Sequence, residues 1–548
     1  MKKILKDYQY IILFSGIGVV YFFNLFIDIM EVDAAQYAMM SMEMSFSKSF
    51  LHVYENGKDY LDKPPFLFWT SALSYLVFGI SNFSYKLPSV LFAILGLYST
   101  YQFSKLYYNK QTALLASLIL GTTQALFLIT NDIRTDTILM GVTIFSIWQM
   151  AEYLRSRRFK YLIFLSIGIA VGMMTKGPLI LIIIAAAFGS EFLIKRQWKN
   201  IFKPEWLLMF LFVAILLIPM CWGLYTQFDL HPEKSAYGID SPSGIKFFFW
   251  TQSFGRITGE SALKNDSGFF YFFHTILWDF QPWILFFIPA LYQRIKNLII
   301  GFFSQINFKN EYISLCGFIL VFLALSLSKY KLPHYIFSIF PFAAIITAQF
   351  ILGLNSKITA KVSIFQFGML HVFWIAIGCL FTLFFLIKTI YFVLIFGLGY
   401  GLYVILFTKL KGLKERLIIP TLFTALFFNL MLALHFYPNL LSYQSSALAG
   451  RHIEKNNLSV HSYNIDHNAL HFYAKKLIQP FSLKDIENAS PGEYIYTNED
   501  GYNLIKNQRV IKDIKKFPYF KATQLTLPFL IAETRQKTLK KMYLIELD

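Results

Sequence analysis

Charged residues are scarce in this chain. Only 15% of its 548 residues are Asp, Glu, Lys or Arg, whereas 56% are hydrophobic and 19% are aromatic. The mean hydropathy is +0.50, which excludes an ordinary soluble enzyme because such a protein needs a largely polar surface. Apolar runs of about 20 residues are long enough to cross a bilayer as helices. The composition therefore predicts a protein that spans a membrane many times.

Cysteine is rarer still than the charged residues. The three cysteines, Cys221, Cys316 and Cys379, each lie inside or at the end of an apolar run, and their spacing is not that of metal ligands. This pattern excludes a disulfide framework. We interpret all three as packing residues.

Acidic residues are outnumbered by basic ones, and the formal net charge is +18. Such a balance can indicate nucleic-acid binding, but here Lys and Arg fall in short clusters between apolar runs. Clusters of this kind are typical of cytoplasmic loops, because basic residues resist translocation. We therefore predict no nucleic-acid partner and use the clusters to orient the chain.

The apolar runs predict roughly thirteen membrane helices. They lie near 8–28, 87–105, 111–130, 137–154, 160–175, 177–195, 206–226, 278–297, 311–327, 333–354, 363–387, 389–408 and 416–438. Alternate connections carry the basic clusters, which places the N-terminus in the cytoplasm and the chain in the inner membrane. The same register places two long loops, 29–86 and 227–277, on the outer face.

The sequence changes character after about residue 440. Short apolar runs there alternate with charged helical patterns, which is typical of a small α/β domain. We therefore predict an all-α polytopic membrane domain over 1–440, followed by a soluble α/β domain over 441–548 on the periplasmic side.

Five polar clusters interrupt the apolar runs, all on the predicted outer face. A single acid or base at such a boundary is commonly a solvated or snorkelling side chain. Five clusters on one face instead predict a site for a charged lipid head group. The clusters are Glu31 with Asp33, Asp62-Lys63-Pro64-Pro65, Arg134-Thr135-Asp136, Thr175-Lys176-Gly177-Pro178 and Ser328-Lys329-Tyr330-Lys331-Leu332-Pro333.

Histidines do not form an obvious metal site. His274, His334 and His371 each lack a second histidine or acid at the third or fourth following position. We interpret them as packed or interfacial residues.

Taken in order, these clusters resemble the polyprenyl-phosphate-sugar glycosyltransferases of the GT-C class, in the protein O-mannosyltransferase and aminoarabinose lipid A transferase superfamily. The resemblance covers residues 1 to about 440. Asp33 before Tyr37-Ala38 is similar to the acid before Tyr-Ala in the family's first outer loop. The family's acid-Lys-Pro-Pro, Thr-Lys-Gly-Pro and Ser-Lys-x-Lys-Leu-Pro-x-Tyr strings match residues 62–65, 175–178 and 328–335.

The resemblance implies an inverting glycosyltransferase. Such an enzyme moves a sugar from a polyprenyl-phosphate donor to an envelope acceptor, which is a lipid A-like glycolipid, a glycan or a protein. Asp33 is the candidate general base, with Asp136 as a second catalytic carboxylate. The candidate substrate-binding residues are Glu31, Tyr37, Asp62, Lys63, Arg134, Lys176, Arg256, Lys329, Lys331 and Tyr335.

The chain also departs from the family pattern. Ala34 follows Asp33 where many relatives have Glu. The segment from Gln252 to Arg256 has no histidine, although some aminoarabinose transferases place a metal ligand shortly before an Arg of that loop. The sequence therefore predicts no particular cofactor and leaves a divalent metal open.

Two other functions stay open at this stage. A flippase or transporter of lipid-linked sugars would be expected to show ionisable residues at midspan, broken helices or duplicated halves. The sequence instead concentrates its charges at the boundary and shows no repeat. A non-catalytic partner in envelope assembly, with the C-terminal segment as its binding module, is the third interpretation.

Overall fold

The computed structural model describes residues 2–236, 238–252, 267–303, 311–383, 389–465 and 467–548. Its first eight helices are α1 (Lys2–Asn24), α2 (Asp33–Ser47), α3 (Phe66–Phe78), α4 (Asn82–Tyr107), α5 (Lys110–Thr122), α6 (Gln124–Asn131), α7 (Thr135–Ser156) and α8 (Phe159–Lys176).

Helices continue through the middle of the chain, some of them interrupted by π or 3-10 turns. The α-helices there are Leu179–Ile184, Ser190–Ile194, Trp198–Ile201, Glu205–Leu224, Gly244–Lys246, Tyr271–Asp279, Ile284–Phe303, Ile313–Leu327, Phe340–Gly353, Ser356–Leu383, Thr389–Lys409, Leu413–Met431 and Tyr437–Leu441. The π turns are Ala185–Gly189, Tyr225–Asp229, Phe247–Thr251 and Leu432–Phe436, and the 3-10 segment is Pro333–Ile339.

Seven helices within the described ranges are long and apolar enough to cross a membrane. They are Thr135–Ser156, Phe159–Lys176, Trp198–Asp229, Ile284–Gly301, Pro333–Gly353, Ser356–Thr382 and Leu413–Leu441. An eighth span results if α5 and α6, which meet at a bend of 55°, are counted together. The prediction of a helical protein with many membrane spans is thus confirmed, whereas the count of thirteen stays a prediction.

Local sequence explains where several helices begin. Ser81 forms a capping box ahead of α4, because its hydroxyl accepts from Ser84 N while the Ser84 hydroxyl accepts from Ser81 N. Asn109 and Thr123 cap α5 and α6 in the same way, with side-chain oxygens that accept from the first turn. These caps fix the starts of the three helices.

Helices α4 and α7 are in backbone contact. A Cβ built at Gly141 of α7 would lie 2.1 Å from the carbonyl oxygen of Phe92 in α4, so only glycine fits there. This close approach places the N-terminal ends of α4 and α7 side by side. The polar residues that precede α7 are thereby held against the first loop.

The first long loop is largely folded. It contains α2, α3 and a two-stranded antiparallel hairpin of β1 (Tyr54–Glu55) and β2 (Lys58–Asp59). Most residues of α2 are buried, partly beneath the C-terminal helix Asn468–Ala474, which packs on it. In the second long loop, β3 (Ser235–Ala236) pairs with β4 (Ile239–Asp240).

The C-terminal segment contains a four-stranded mixed sheet. Strands β5 (Val460–Tyr463) and β6 (Tyr494–Thr497) are parallel, and β8 (Lys540–Leu547) runs antiparallel to both β6 and β7 (Ile511–Tyr519), giving the order β5-β6-β8-β7. The accompanying helices are Ser445–Asn456, Asn468–Ala474, Leu483–Glu487, Glu499–Ile505, Leu527–Leu530 and Ala532–Thr538.

This segment packs on the membrane domain. The Phe472 ring, for example, lies 6.2 Å from that of Tyr75 in α3. The predicted boundary near 440 and the predicted existence of a separate soluble domain stay predictions.

Candidate functional site

Asp33 is the first residue of α2, and its carboxylate forms an ion pair with the guanidinium of Arg134. Arg134 immediately precedes α7, and its Nε donates a hydrogen bond to Asp132 Oδ2 at 2.9 Å. Burial disfavours the charged form of Arg134. The negative charges of Asp132 and Asp33 outweigh this effect of burial and raise the pKa of Arg134 above its ordinary value. One permanently charged guanidinium therefore joins two carboxylates from separate segments.

Asp136 lies in the first turn of α7, with its side chain only 2% exposed. Its Oδ1 accepts a hydrogen bond from Lys176 Nζ at 2.5 Å, and its Oδ2 lies 3.7 Å from His334 Nε2. Lys176 also lies over the ring of Tyr335, with Nζ 3.8 Å from the ring centroid, which is a cation–π contact. The buried carboxylate and the ring together fix the position of the Lys176 ammonium.

Asp62 and Lys63 form an ion pair between neighbouring residues. The prolines that follow restrict the backbone, and Pro65 directly precedes α3, so the pair is held at the start of that helix. Gln252 Nε2 donates a hydrogen bond to the carbonyl oxygen of Asp62. This contact ties the pair to the second long loop.

These ion pairs surround one small cavity of about 100 Å³. Because a water molecule occupies about 30 Å³ of liquid, the cavity has room for a few waters or one small anionic group. Three basic and three acidic side chains face each other across it. The lining residues are Asp33, Gln36, Tyr37, Asp62, Lys63, Arg134, Thr135, Asp136, Lys176, Tyr330, Leu332, His334 and Tyr335.

Tyr37 contributes a phenolic hydroxyl to this wall. Its ring is almost fully buried. Burial, followed by the nearby negative charges of Asp33 and Asp62, raises the pKa of Tyr37 well above its ordinary value. The phenol therefore stays protonated and offers a hydrogen-bond donor beside Asp33.

Comparison with known proteins shows that this chain is similar to glycosyltransferases. Residues 62–222 match the family model for dolichyl-phosphate-mannose-protein mannosyltransferase. The chain is 26% identical over 333 residues to an undecaprenyl phosphate-alpha-4-amino-4-deoxy-L-arabinose arabinosyl transferase of Edwardsiella ictaluri, with 60% of this chain and 56% of that protein covered. The protein of the same description from Wigglesworthia glossinidia brevipalpis is 27% identical over 337 residues, with the same coverage.

The fold is similar to that of a solved membrane-protein structure, ArnT. ArnT from Cupriavidus metallidurans in the apo state superposes with a TM-score of 0.74 at 17% identity, covering 99% of this chain and 98% of that chain. ArnT bound to undecaprenyl phosphate gives the same TM-score and identity, with 98% and 97% covered. The resemblance to the GT-C superfamily is confirmed. In sequence, this chain aligns with only a little over half the length of the curated relatives that it matches.

Several residues that the GT-C resemblance implied lie outside the cavity. The Glu31 carboxylate accepts a hydrogen bond from Ala469 N at 2.6 Å, so it faces the C-terminal segment. Lys329 is exposed. Lys331 is buried, its Nζ donates to the Ser267 carbonyl oxygen at 2.8 Å, and burial lowers its pKa. Arg256 lies outside the described residues.

A divalent metal does not fit the carboxylates that are present. No group of three His, Cys, Asp or Glu side chains with suitable spacing occurs in the described part of the chain. Asp33, Asp62 and Asp136 each pair with a cationic side chain of their own, and a metal ion would have to displace these partners.

Three residues of the cavity escaped the sequence analysis. His334 is far along the chain from Asp136, so nothing in its local sequence indicated an acidic neighbour. Gln36 lies one turn into α2 and donates to Glu55 Oε1 at 2.5 Å. Tyr330 was recognised only as part of a basic string. The position of His334, three residues after Lys331, was the one available signal.

Proposed function

We propose that this protein is an integral-membrane glycosyltransferase that moves a sugar from a polyprenyl-phosphate donor to an envelope acceptor. The observation that carries the proposal is the cavity, where Asp33 and the cations Lys63, Arg134 and Lys176 meet at one end of a GT-C fold. A donor of this kind combines an anionic phosphate with a reactive anomeric carbon. Transfer from such a donor requires a cation to bind the phosphate and a base to accept the acceptor proton, and the cavity contains both.

Asp33 is the proposed general base. Its side chain is 39% exposed, more than any other carboxylate that forms an ion pair at the cavity, so an acceptor can reach it. The acceptor oxygen attacks the anomeric carbon and forms the new glycosidic bond, while the bond from that carbon to the phosphate oxygen breaks. The electron pair leaves with the phosphate, and the acceptor proton passes to Asp33.

The cations stabilise the departing phosphate. Negative charge builds on the phosphate oxygens as the bond breaks, and preorganised cations lower the energy of that transition state. Lys63 and Lys176 occupy this role in our proposal, together with Arg134. Asp136 acts through Lys176, since its buried carboxylate orients the ammonium. This assignment replaces Lys329 and Lys331, which do not line the cavity.

The carrier of the donor is proposed from the relatives. The proteins of Edwardsiella and Wigglesworthia are described as transferring an aminoarabinose from undecaprenyl phosphate, and we propose undecaprenyl phosphate as the lipid carrier here. The acceptor is proposed to be a lipid A-like glycolipid, another glycan or a protein. We further propose that the cavity faces the periplasm from the inner membrane, with the N-terminus in the cytoplasm.

The decisive experiment supplies the purified, detergent-solubilised protein with undecaprenyl-phosphate aminoarabinose carrying a labelled sugar, and with envelope lipid extract as acceptor. We expect free undecaprenyl phosphate to appear only when the acceptor is present. The variant Asp240→Asn, which removes an exposed carboxylate of β4, serves as the control and should match the wild type.

Other outcomes would overturn the proposal. Movement of intact donor across reconstituted vesicles without release of undecaprenyl phosphate would indicate a flippase. Donor binding without either process would indicate a non-catalytic partner.

A further inference from the structure

The loop ahead of Asp33 is bound by the C-terminal segment. This loop connects α1 to α2 and contributes two backbone amides and one carbonyl to the contact. Ile29 N donates to the hydroxyl of Tyr473 at 2.8 Å. Gln444 Nε2 donates to Ile29 O at 2.8 Å, and Gln444 Oε1 accepts from Glu31 N at 3.1 Å. A single glutamine side chain thus bridges two backbone positions of the loop.

The loop also contributes a side chain to the contact, because Glu31 binds the C-terminal segment. Its carboxylate accepts from Ala469 N in the first turn of helix Asn468–Ala474, at 2.6 Å. An acid is favourable at this position because the first amides of a helix lack intrahelical partners. Glu31 therefore holds the C-terminal segment rather than substrate.

Tyr473 extends the contact to α4. Its hydroxyl accepts from Ile29 N and donates to Asn82 Oδ1 at 2.9 Å. Asn82 Nδ2 in turn donates to Asp28 Oδ1 at 3.0 Å, and Asp28 forms an ion pair with Arg451, whose guanidinium lies 4.5 Å from the Tyr473 ring centroid. The loop is thereby fixed between α4 and the C-terminal segment.

These bonds lie in a protected environment. Gln444 is 3% exposed, Tyr473 is 8% exposed and Ile29 is 1% exposed. Water does not compete effectively for hydrogen bonds at such sites, and losing one partner leaves a buried polar group unsatisfied. The contact is therefore specific, rather than an incidental surface approach.

The position of Asp33 depends on this loop. The first turn of α2 is bonded to it, because Ala35 N donates to Met30 O at 3.1 Å and Gln36 N donates to Val32 O at 3.0 Å. Asp33 lies between these two bonds. Any displacement of residues 29–32 would therefore move the Asp33 carboxylate relative to Arg134 and the cavity.

We infer that Gln444 and Tyr473 are positioning residues for Asp33, and that docking of the C-terminal segment on residues 29–31 sets the geometry of the transfer step. The inference rests on the proposed transferase function. Catalysis is sensitive to such placement, since a misplacement of about 1 Å can cost roughly 100-fold in rate. The donor phosphate contacts Lys63 and Lys176 in our proposal, and these side chains bind Asp62 and Asp136, respectively.

The kinetic test uses the full-length variants Gln444→Ala and Tyr473→Phe. We expect kcat to fall by about 10- to 100-fold, while KM for the lipid-linked donor stays within about twofold of the wild type. Thr497→Val is the matched control. It removes a partly buried hydrogen bond within the C-terminal segment, from Thr497 Oγ1 to Tyr463 O at 2.8 Å, which does not involve the loop. An equal loss of kcat in Thr497→Val, or a rise in KM with unchanged kcat, would overturn the inference.

A second measurement is independent of activity. Hydrogen–deuterium exchange of the Ile29 and Glu31 amides should speed up about tenfold or more in Gln444→Ala, corresponding to a loss of at least about 1.4 kcal/mol of protection, while exchange across β8 stays unchanged. Unchanged exchange at both amides would show that the glutamine does not hold the loop. If the wild type is inactive in transfer but Gln444→Ala shows this change in exchange, the proposed function fails and the docking contact stands.

Discussion

At the scale of single residues, the site is a set of carboxylates that each hold a cation. Asp33 holds Arg134, Asp62 holds Lys63 and Asp136 holds Lys176. Their mutual proximity could be predicted from the sequence, because the order of apolar runs placed all six on one face. The direction of the Glu31 side chain could not be predicted, since its partner Ala469 belongs to a segment more than 400 residues away and only tertiary packing brings them together.

Lys176 offers a prediction at this scale. Lys176→Met keeps much of the side-chain volume but removes the positive charge that we propose stabilises the departing phosphate. Loss of one preorganised group of this kind typically costs about 10²–10³-fold in kcat, and we expect a loss of that order in a steady-state transfer assay.

The matched control is Lys195→Met, which removes another lysine bound to a buried carboxylate, that of Glu191. Lys195 does not line the cavity. Equal losses of kcat in the two variants would show that disruption of a buried ion pair, rather than the chemistry, is responsible.

Glu43 of α2 provides a prediction about pH. Its carboxylate accepts from Asn56 N and Gly57 N, both at 2.8 Å. Burial nevertheless outweighs these bonds and raises the pKa of Glu43 above its ordinary value. The folded protein therefore binds this proton more tightly than the unfolded chain. The resulting stabilisation is complete below the unfolded-state pKa and is lost as the pH rises through the folded-state pKa.

Glu43→Gln removes this titration. The difference in thermal unfolding midpoint, variant minus wild type, should therefore become more positive as the pH rises above the ordinary pKa of a glutamate carboxyl. Thermal unfolding in detergent at several pH values measures it. Parallel pH curves for the two proteins would contradict the assignment.

At the scale of elements, the contact between α4 and α7 positions the residues that precede α7. The apolar runs predicted both helices, but they did not predict how closely the two helices approach each other. That distance is set by Gly141 against the Phe92 carbonyl oxygen, which is a tertiary contact. The sequence likewise predicted that the C-terminal segment contains short strands, but not the order in which they pair. That order depends on contacts between residues distant in sequence.

Gly141→Ala tests the role of this contact. The added Cβ would lie 2.1 Å from Phe92 O, so the helices must separate. We expect a destabilisation of about 1–3 kcal/mol from overpacking, with lost transfer activity because Arg134 and Asp136 move with α7.

The comparison variant is Gly401→Ala in helix Thr389–Lys409, where no atom lies within 4 Å of the added Cβ. That change should leave activity intact and stabilise the helix by about 0.5–1 kcal/mol. Thermal unfolding and transfer rates of both variants decide the question. Equal stability of Gly141→Ala and wild type would contradict the close approach.

At the scale of the whole molecule, the distribution of basic clusters leads to a prediction of membrane orientation. The basic clusters predict that the Arg155–Lys160 connection faces the cytoplasm and that the C-terminal segment faces the periplasm. We expect Asp513→Cys, at an exposed position of β7, to react with a membrane-impermeant maleimide in cells with a permeabilised outer membrane. These experiments use a background in which the three native cysteines are replaced by serine.

Lys160→Cys is the paired variant, and it is also exposed. It should react only after the inner membrane is disrupted. The opposite pattern of labelling would place the cavity on the cytoplasmic side and would be inconsistent with an acceptor in the envelope.

Composition and the order of apolar runs predict a helical protein with many membrane spans, whereas the working of the site depends on contacts across the entire chain. Residues from the first loop, from the starts of α3 and α7, from the end of α8 and from segment 330–335 all reach one cavity. The C-terminal segment, in turn, holds the loop that carries Asp33. We therefore propose that the chain acts as one catalytic unit centred on Asp33.

The most direct test of that claim is the single-turnover rate of sugar transfer by Asp33→Asn, measured alongside binding of undecaprenyl phosphate. The account predicts a fall in rate of about 10²–10⁴-fold, the usual contribution of a general base, with lipid binding within about twofold of the wild type. An unchanged transfer rate would contradict it.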